Sequence, residues 1–178
     1  SSRVGMIIPV SAFSTDRMIP LIKLMKEQST LLHVANFSWR PGKLFDGVNL
    51  QLSIYLQEVG LPKPNIFTTK YILWDSEARP ELFGQISFAP SEDDRLQGAI
   101  PKLGCIEATS ILNKIRNEKA EIGACIVDHS SNQVYYRRGG LYWKVFLDFI
   151  TDSSEEKIIC VNQDIDKYII IATLSSNL

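Results

Sequence analysis

The chain has 178 residues, 45% hydrophobic and 22% charged, enough to bury a sizeable core and too apolar for a disordered or fibrous protein. Its 19 Lys and Arg against 20 Asp and Glu give a formal charge of -1, which excludes a polyanion binder working by bulk charge but allows a local basic patch. Three widely spaced cysteines (Cys105, Cys125, Cys160), no CxxC pair and only 2 histidines argue against a structural zinc site and suit a reducing, cytoplasmic compartment.

Residues 4–8 are a short apolar run closed by Pro9, which predicts a strand buried on both faces, as in a parallel sheet. The chain enters this strand almost at once, as if cut from something longer. Polar residues 11–16 then lead into a helix on which Met18, Leu21, Ile22 and Met25 share one face, with Pro20 in or near its first turn. Residues 31–37 read as the next strand and 38–49 as a polar, glycine-containing loop. Leu50, Leu52, Ile54 and Leu56 alternate with Gln51, Ser53, Tyr55 and Gln57, so a third strand has one apolar face. The first connection is long enough for a right-handed parallel crossover; the second has no room for a helix and predicts an antiparallel return.

Gly60-Leu61-Pro62-Lys63-Pro64 is the strongest punctuation and divides the sequence into 1–60 and 61–178. Beyond it the pattern predicts a strand at 67–74, a turn or short helix at 76–83, a strand at 85–88, a solvated loop at 90–98 and a helix at 105–118. Strands follow at 122–127 and 133–136. The second of these joins, through Arg137-Arg138-Gly139-Gly140, a run over 141–149 that places Leu141, Trp143, Val145, Leu147 and Phe149 on one face, the pattern of a hairpin. A strand at 157–161 and a helix with Ile165, Tyr168, Ile169 and Ala172 on one face complete the order. No apolar run reaches the roughly 20 residues that span a bilayer, so no membrane partner is expected.

Self-sufficient catalytic motifs are absent: the sequence holds no GxGxxG, P-loop, GxSxG or HExxH. His33 and His129 stand alone, which suits structural roles better than base catalysis. Cys105 precedes a helix that could lower its pKa, but a buried thiol is the plainer reading. Two clusters carry more. The loop after the second strand combines Trp39, Arg40, Lys43 and Phe45, and loops at strand ends of open α/β sheets are where ligands sit; alternatively, its aromatics only seal the sheet edge. The hairpin joins Tyr135, Tyr136, Arg137 and Arg138 with Tyr142, Trp143 and Lys144, cations and rings that suit phosphates and bases; the alternative is a solvated hairpin with ordinary cross-strand pairs.

The segments Val4-Gly5-Met6-Ile7-Ile8-Pro9-Val10-Ser11-Ala12-Phe13, Val34-Ala35-Asn36-Phe37 and Lys43-Leu44-Phe45-Asp46-Gly47-Val48, leading into Leu52-Ser53-Ile54-Tyr55-Leu56, resemble the later motifs of N6-adenine DNA methyltransferases of restriction-modification systems, of the large single-chain or type I kind. A weaker likeness runs through Tyr71-Ile72-Leu73-Trp74-Asp75-Ser76-Glu77-Ala78-Arg79-Pro80-Glu81-Leu82-Phe83 and the last helix. The resemblance implies an α/β fold. Residues 1–60 would be the end of a Rossmann-like catalytic sheet, in which the strand ending in Ile-Pro is the fifth and is followed by a helix and an antiparallel pair. Residues 61–178 would open a mixed α+β target-recognition or accessory region.

In that family the adenine N6 attacks the sulfonium methyl of S-adenosylmethionine, and the partner is double-stranded DNA. Phe45 matches the aromatic that packs against the flipped adenine. Arg40 and Lys43 beside it become candidates for the DNA backbone, and Tyr136, Arg137, Arg138 and Lys144, by analogy with a target-recognition region, for further DNA contact. The family's Asn/Asp-Pro-Pro-Tyr/Phe motif and its cofactor-binding glycine-rich loop are both missing; the sequence has no Pro-Pro. Both lie N-terminal to these motifs in the family. The resemblance therefore implies a fragment with no catalytic residue of its own, inactive alone and not expected to bind S-adenosylmethionine, completed by an N-terminal catalytic segment or another subunit. Two other readings stay open: a non-catalytic DNA-binding or assembly module of such a system, and an unrelated α/β interaction domain.

Overall fold

A computed structural model of the protein describes residues 2–60, 64–91, 99–119, 121–137 and 146–175. They form two compact units, Ser1–Arg116 and Asn117–Leu178, each with its own sheet. The fold is mixed α/β.

In the first unit the chain runs β1 (Ser2–Pro9), two short 3-10 turns, α1 (Ile19–Glu27), β2 (Ser29–Phe37), β3 (Leu52–Val59), β4 (Asn65–Ile72), a 3-10 segment (Ser76–Gln85), β5 (Ala89–Pro90) and α2 (Ile106–Asn117). The sheet order is β1-β3-β2-β4-β5. β3 is antiparallel to both β1 and β2, and β2 is parallel to β4. The predicted crossover thus carries the chain from β1 to a strand of the same direction, with β3 returning between the two. The Gly60-to-Pro64 punctuation falls between two strands of one sheet, and the compact units divide after Arg116.

β2 is buried on both faces because strand periodicity sends its side chains into two cores. Leu32 and Val34 pack with Phe13, Ile22, Met25, Tyr55 and Ile66, whereas Ala35 and Phe37 pack with Trp74 and Leu82. Pro20 lies in the first turn of α1, where its missing N–H costs nothing. Ile22 and Met25 make the buried face of that helix, while Met18 and Leu21, expected beside them, stay exposed by more than a third. β1 departs from the expectation of a strand buried on both faces. It pairs with β3 on one side only among the described residues and leaves Val4, Met6 and Ile7 exposed. β3 also uses both faces: Ser53 and Tyr55 are buried opposite Leu52 and Ile54, while Leu50 and Leu56 are exposed. The strand expected at 85–88 is the end of the 3-10 segment and an extended stretch, and only Ala89–Pro90 pairs with β4.

In the second unit β6 (Ile126–Val127), β7 (Gln133–Arg137), β8 (Phe146–Leu147) and β9 (Glu156–Val161) form an antiparallel sheet of order β6-β9-β7-β8, followed by α3 (Asp164–Ser175). Residues 122–125, expected as strand, form a 3-10 turn before β6. The predicted hairpin pairing is present, with Tyr135 opposite Leu147 and Tyr136 opposite Phe146; residues 141–145 lie outside the described residues. α3 packs through Ile170 against Val134 and Val161, leaving Ile165, Tyr168 and Ile169, the face read as core, exposed. The run Ile169-Ile170-Ile171 gives this helix apolar residues on more than one side, so periodicity alone did not select the packed one. Among the described residues, no helix is long and apolar enough to cross a membrane.

Candidate functional site

β1, β2 and β4 run in one direction, so their carboxyl ends reach the same edge of the sheet, where Pro9, Leu52, Phe37 and Ile72 lie in one row of partners. The loop carrying Trp39, Arg40, Lys43 and Phe45 leaves β2 at this edge, the usual position for a ligand in an open sheet with parallel strands.

The loop is fastened at successive points. The Ser38 N–H donates to the Ile72 carbonyl (2.9 Å), and the Gly42 N–H to the Trp74 carbonyl (2.7 Å), so the chain leaving β2 follows the chain leaving β4. The Ser38 hydroxyl donates to the Arg40 carbonyl (2.5 Å) and accepts from the Arg40 N–H (3.0 Å), a tight local turn that precedes the cis Arg40–Pro41 bond. Lys43 Nζ donates to Asn49 Oδ1 (2.6 Å) across the loop, and Leu44 packs with the cluster of Phe37 and Trp74. Phe45, the next residue, is 46% exposed.

A residue distant in sequence completes the anchorage. The Arg79 guanidinium donates through Nη1 to the Leu44 carbonyl (3.0 Å) and through Nη2 to the Lys43 carbonyl (2.5 Å), and lies over the Trp74 ring at 5.2 Å. Arg40 lies over Trp39 at 4.1 Å. Among the described residues, Arg40, Lys43 and Arg79 form no ion pair with a carboxylate, so these three cations outnumber Asp46, the acid of the loop.

Behind the loop is a buried polar network. Asn36 is 1% exposed; its Nδ2 donates to Thr68 Oγ1 (3.3 Å) and to the Thr69 carbonyl (3.1 Å), and its Oδ1 accepts from the Ser53 hydroxyl (2.8 Å). The β2–β4 register shifts here, from Val34 opposite Thr68 to Asn36 opposite Tyr71. Thr69 Oγ1 accepts the Asn36 N–H (2.9 Å) at that irregularity, which keeps a buried donor satisfied. Nearer the edge, the Tyr71 hydroxyl is buried without a well-formed hydrogen bond; burial raises its pKa, and Ser38 beside it offsets part of that rise.

The second cluster belongs to the other unit. Tyr136 stacks on Phe146 (5.4 Å, 21°), and exposed Arg137 donates to Ser153 Oγ from Nε (3.0 Å) and Nη2 (2.8 Å). Arg138 and Lys144 lie outside the described residues. His33 is stacked on Phe67 (5.0 Å) and meets Phe88 edge-on (5.0 Å), and burial lowers its pKa. It is a ring packed between two aromatics. Cys105, read as a buried thiol, is exposed at the start of α2.

The cations and Phe45 stand out in the sequence; Gly42, Trp74 and Arg79, through which the loop is held, do not. The hydrogen bonds of Arg79 span 35 and 36 positions, and no local spacing signals a contact of that range. No known protein family, curated protein or solved structure matches the chain.

Proposed function

We propose that this chain is the target-base and DNA-contacting part of an S-adenosylmethionine-dependent adenine N6 DNA methyltransferase of a restriction-modification system, built on the end of a Rossmann-like sheet. The observation that carries the reading is Phe45: a half-exposed ring on an otherwise fastened loop, at the carboxyl edge, between the antiparallel strands that follow a strand and helix. An extruded base needs a stacking surface, and a ring held half-exposed on an anchored loop at this edge supplies one. Arg40 and Lys43 precede the ring on the same loop and form no ion pair among the described residues, which suits contact with the phosphates of the extruded nucleotide's strand, while Asp46 follows the ring.

β1 also supports the reading. An apolar strand bonded, among the described residues, along one edge only and exposed at Met6 (51%) and Ile7 (44%) suits a further strand beside it. A preceding catalytic segment or another subunit supplies that strand, together with the Asn-Pro-Pro-Tyr motif and the cofactor loop. The residues present do not fit S-adenosylmethionine. The turn after β1 (Val10–Phe13) has no glycine and buries Ala12 and Phe13, and Gly42 is closed against Trp74, so neither offers an open backbone cradle. The chain's own part is therefore to receive the base and hold the DNA.

The test uses duplexes in which 2-aminopurine replaces the target base. Because the recognition sequence is undefined, a pool of duplexes is screened first. The chain should raise the probe's fluorescence on a subset, and Phe45→Ala should abolish that rise while duplex affinity falls less than about threefold, the flanking cations remaining. Absence of duplex binding, or a response indifferent to Phe45, overturns the proposal.

A further inference from the structure

We infer that Arg79 is the positioning residue of the aromatic loop, setting Phe45 and Lys43 for the nucleic acid without touching it; the inference rests on the function proposed above. Its planar guanidinium donates in parallel to two consecutive carbonyls, Lys43 and Leu44, immediately before Phe45. The same group lies over the Trp74 indole, whose carbonyl holds Gly42. Residues 42, 43 and 44 are thus fastened to the segment after β4, and Phe45 follows directly on this anchored stretch.

Arginine suits this role in a way lysine does not. The fork reaches two acceptors with one planar group and stacks by its face, whereas an ammonium is a point donor. The two hydrogen bonds also leave the charge of Arg79 in place beneath a loop that already carries Arg40 and Lys43. Arg79 itself sits on a 3-10 segment and meets the cluster of Ala35, Phe37 and Leu82 at the Trp74 ring, so the cluster of Leu32, Val34 and Tyr55 gives an internal control for its loss.

Hydrogen exchange of the intact chain tests the placement directly. In Arg79→Ala the amides of residues 42–48 should exchange at least about tenfold faster, while those of β2, β3 and β4 keep their protection; Arg79→Lys should fall between the two. Wild-type exchange in that loop overturns the inference. If Arg79→Ala loses protection throughout the sheet, Arg79→Lys decides: faster exchange confined to the loop upholds it, and uniform loss overturns it. The link to function has its own readout. Arg79→Ala should lower the 2-aminopurine response toward that of Phe45→Ala with duplex affinity changed less than about threefold. A loosened loop in a chain whose wild type gives no such response would leave Arg79 as the loop's anchor and remove the base-binding reading alone.

Discussion

Gly42 lies so close to Trp74 that a Cβ on it would stand 2.6 Å from the Trp74 carbonyl oxygen and 2.8 Å from Cδ2 of the indole. Both neighbours are rigid, one being backbone and the other a ring that is 6% exposed in the core, so neither can give way cheaply. Gly42→Ala should therefore destabilise the chain by about 1–3 kcal/mol, the usual range for an overpacked site, through displacement of the loop. Urea unfolding measures it; a midpoint equal to wild type would mean that the loop does not pack as described.

Asn36 is predicted to be the costliest polar residue of the sheet to remove. Asn36→Ala leaves the Ser53 hydroxyl without its acceptor, takes a donor from Thr68 Oγ1 and the Thr69 carbonyl, and opens space between buried strands. The expected loss is about 2–4 kcal/mol. Thr69→Val deprives the Asn36 N–H of its acceptor and should cost about 1–3 kcal/mol. The two share one network, so a double mutant should lose less than the sum. Additive losses in chemical denaturation would show that the bonds act independently.

The same residues show what could be read from the sequence. Strand and helix positions over residues 1–60 follow apolar periodicity and turn residues, which act within a few positions, and the antiparallel β2–β3 pair follows from a connection too short for a helix. Tertiary position was less accessible. β1 has the composition of a central strand, yet among the described residues it pairs along one edge only and leaves Val4, Met6 and Ile7 exposed. Asn36 reads as an interruption of an apolar strand, and only the register shift beside Thr69 explains it. At the site, side-chain chemistry was legible in Arg40, Lys43 and Phe45, because cations and rings in a loop stand out in composition. The clamp was not, since Arg79 meets the loop only once β2 and β4 lie side by side.

In the second unit, Arg137 is the described cation best placed to test DNA contact. Two of its N–H groups donate to the neutral Ser153 hydroxyl, and among the described residues it forms no ion pair, although Glu156 stands opposite it in the strand register. Arg137→Ala should weaken duplex binding at low salt and reduce the slope of log affinity against log salt by about one, with little effect on stability because the side chain is exposed. An unchanged slope would remove Arg137 from the interface.

The partly buried ring of His33 makes stability depend on pH in a defined direction. Burial between Phe67 and Phe88 disfavours the imidazolium, so the folded chain holds this proton less tightly than the unfolded one, whose histidine has the ordinary value of 6.5. Between the two values the unfolded state binds more protons, and stability rises with pH. The His33 contribution is therefore complete above the unfolded value, declines as pH falls through it, and levels off below the lowered folded value. His33→Phe keeps an aromatic ring at the position and removes the titration. Unfolding free energies compared from about pH 7.5 to 5 should show a downward slope in the wild type that is reduced in the variant, the remaining slope belonging to the carboxylates. Identical pH profiles for the two proteins would show that His33 titrates alike in both states and that its burial between the rings does not hold it neutral.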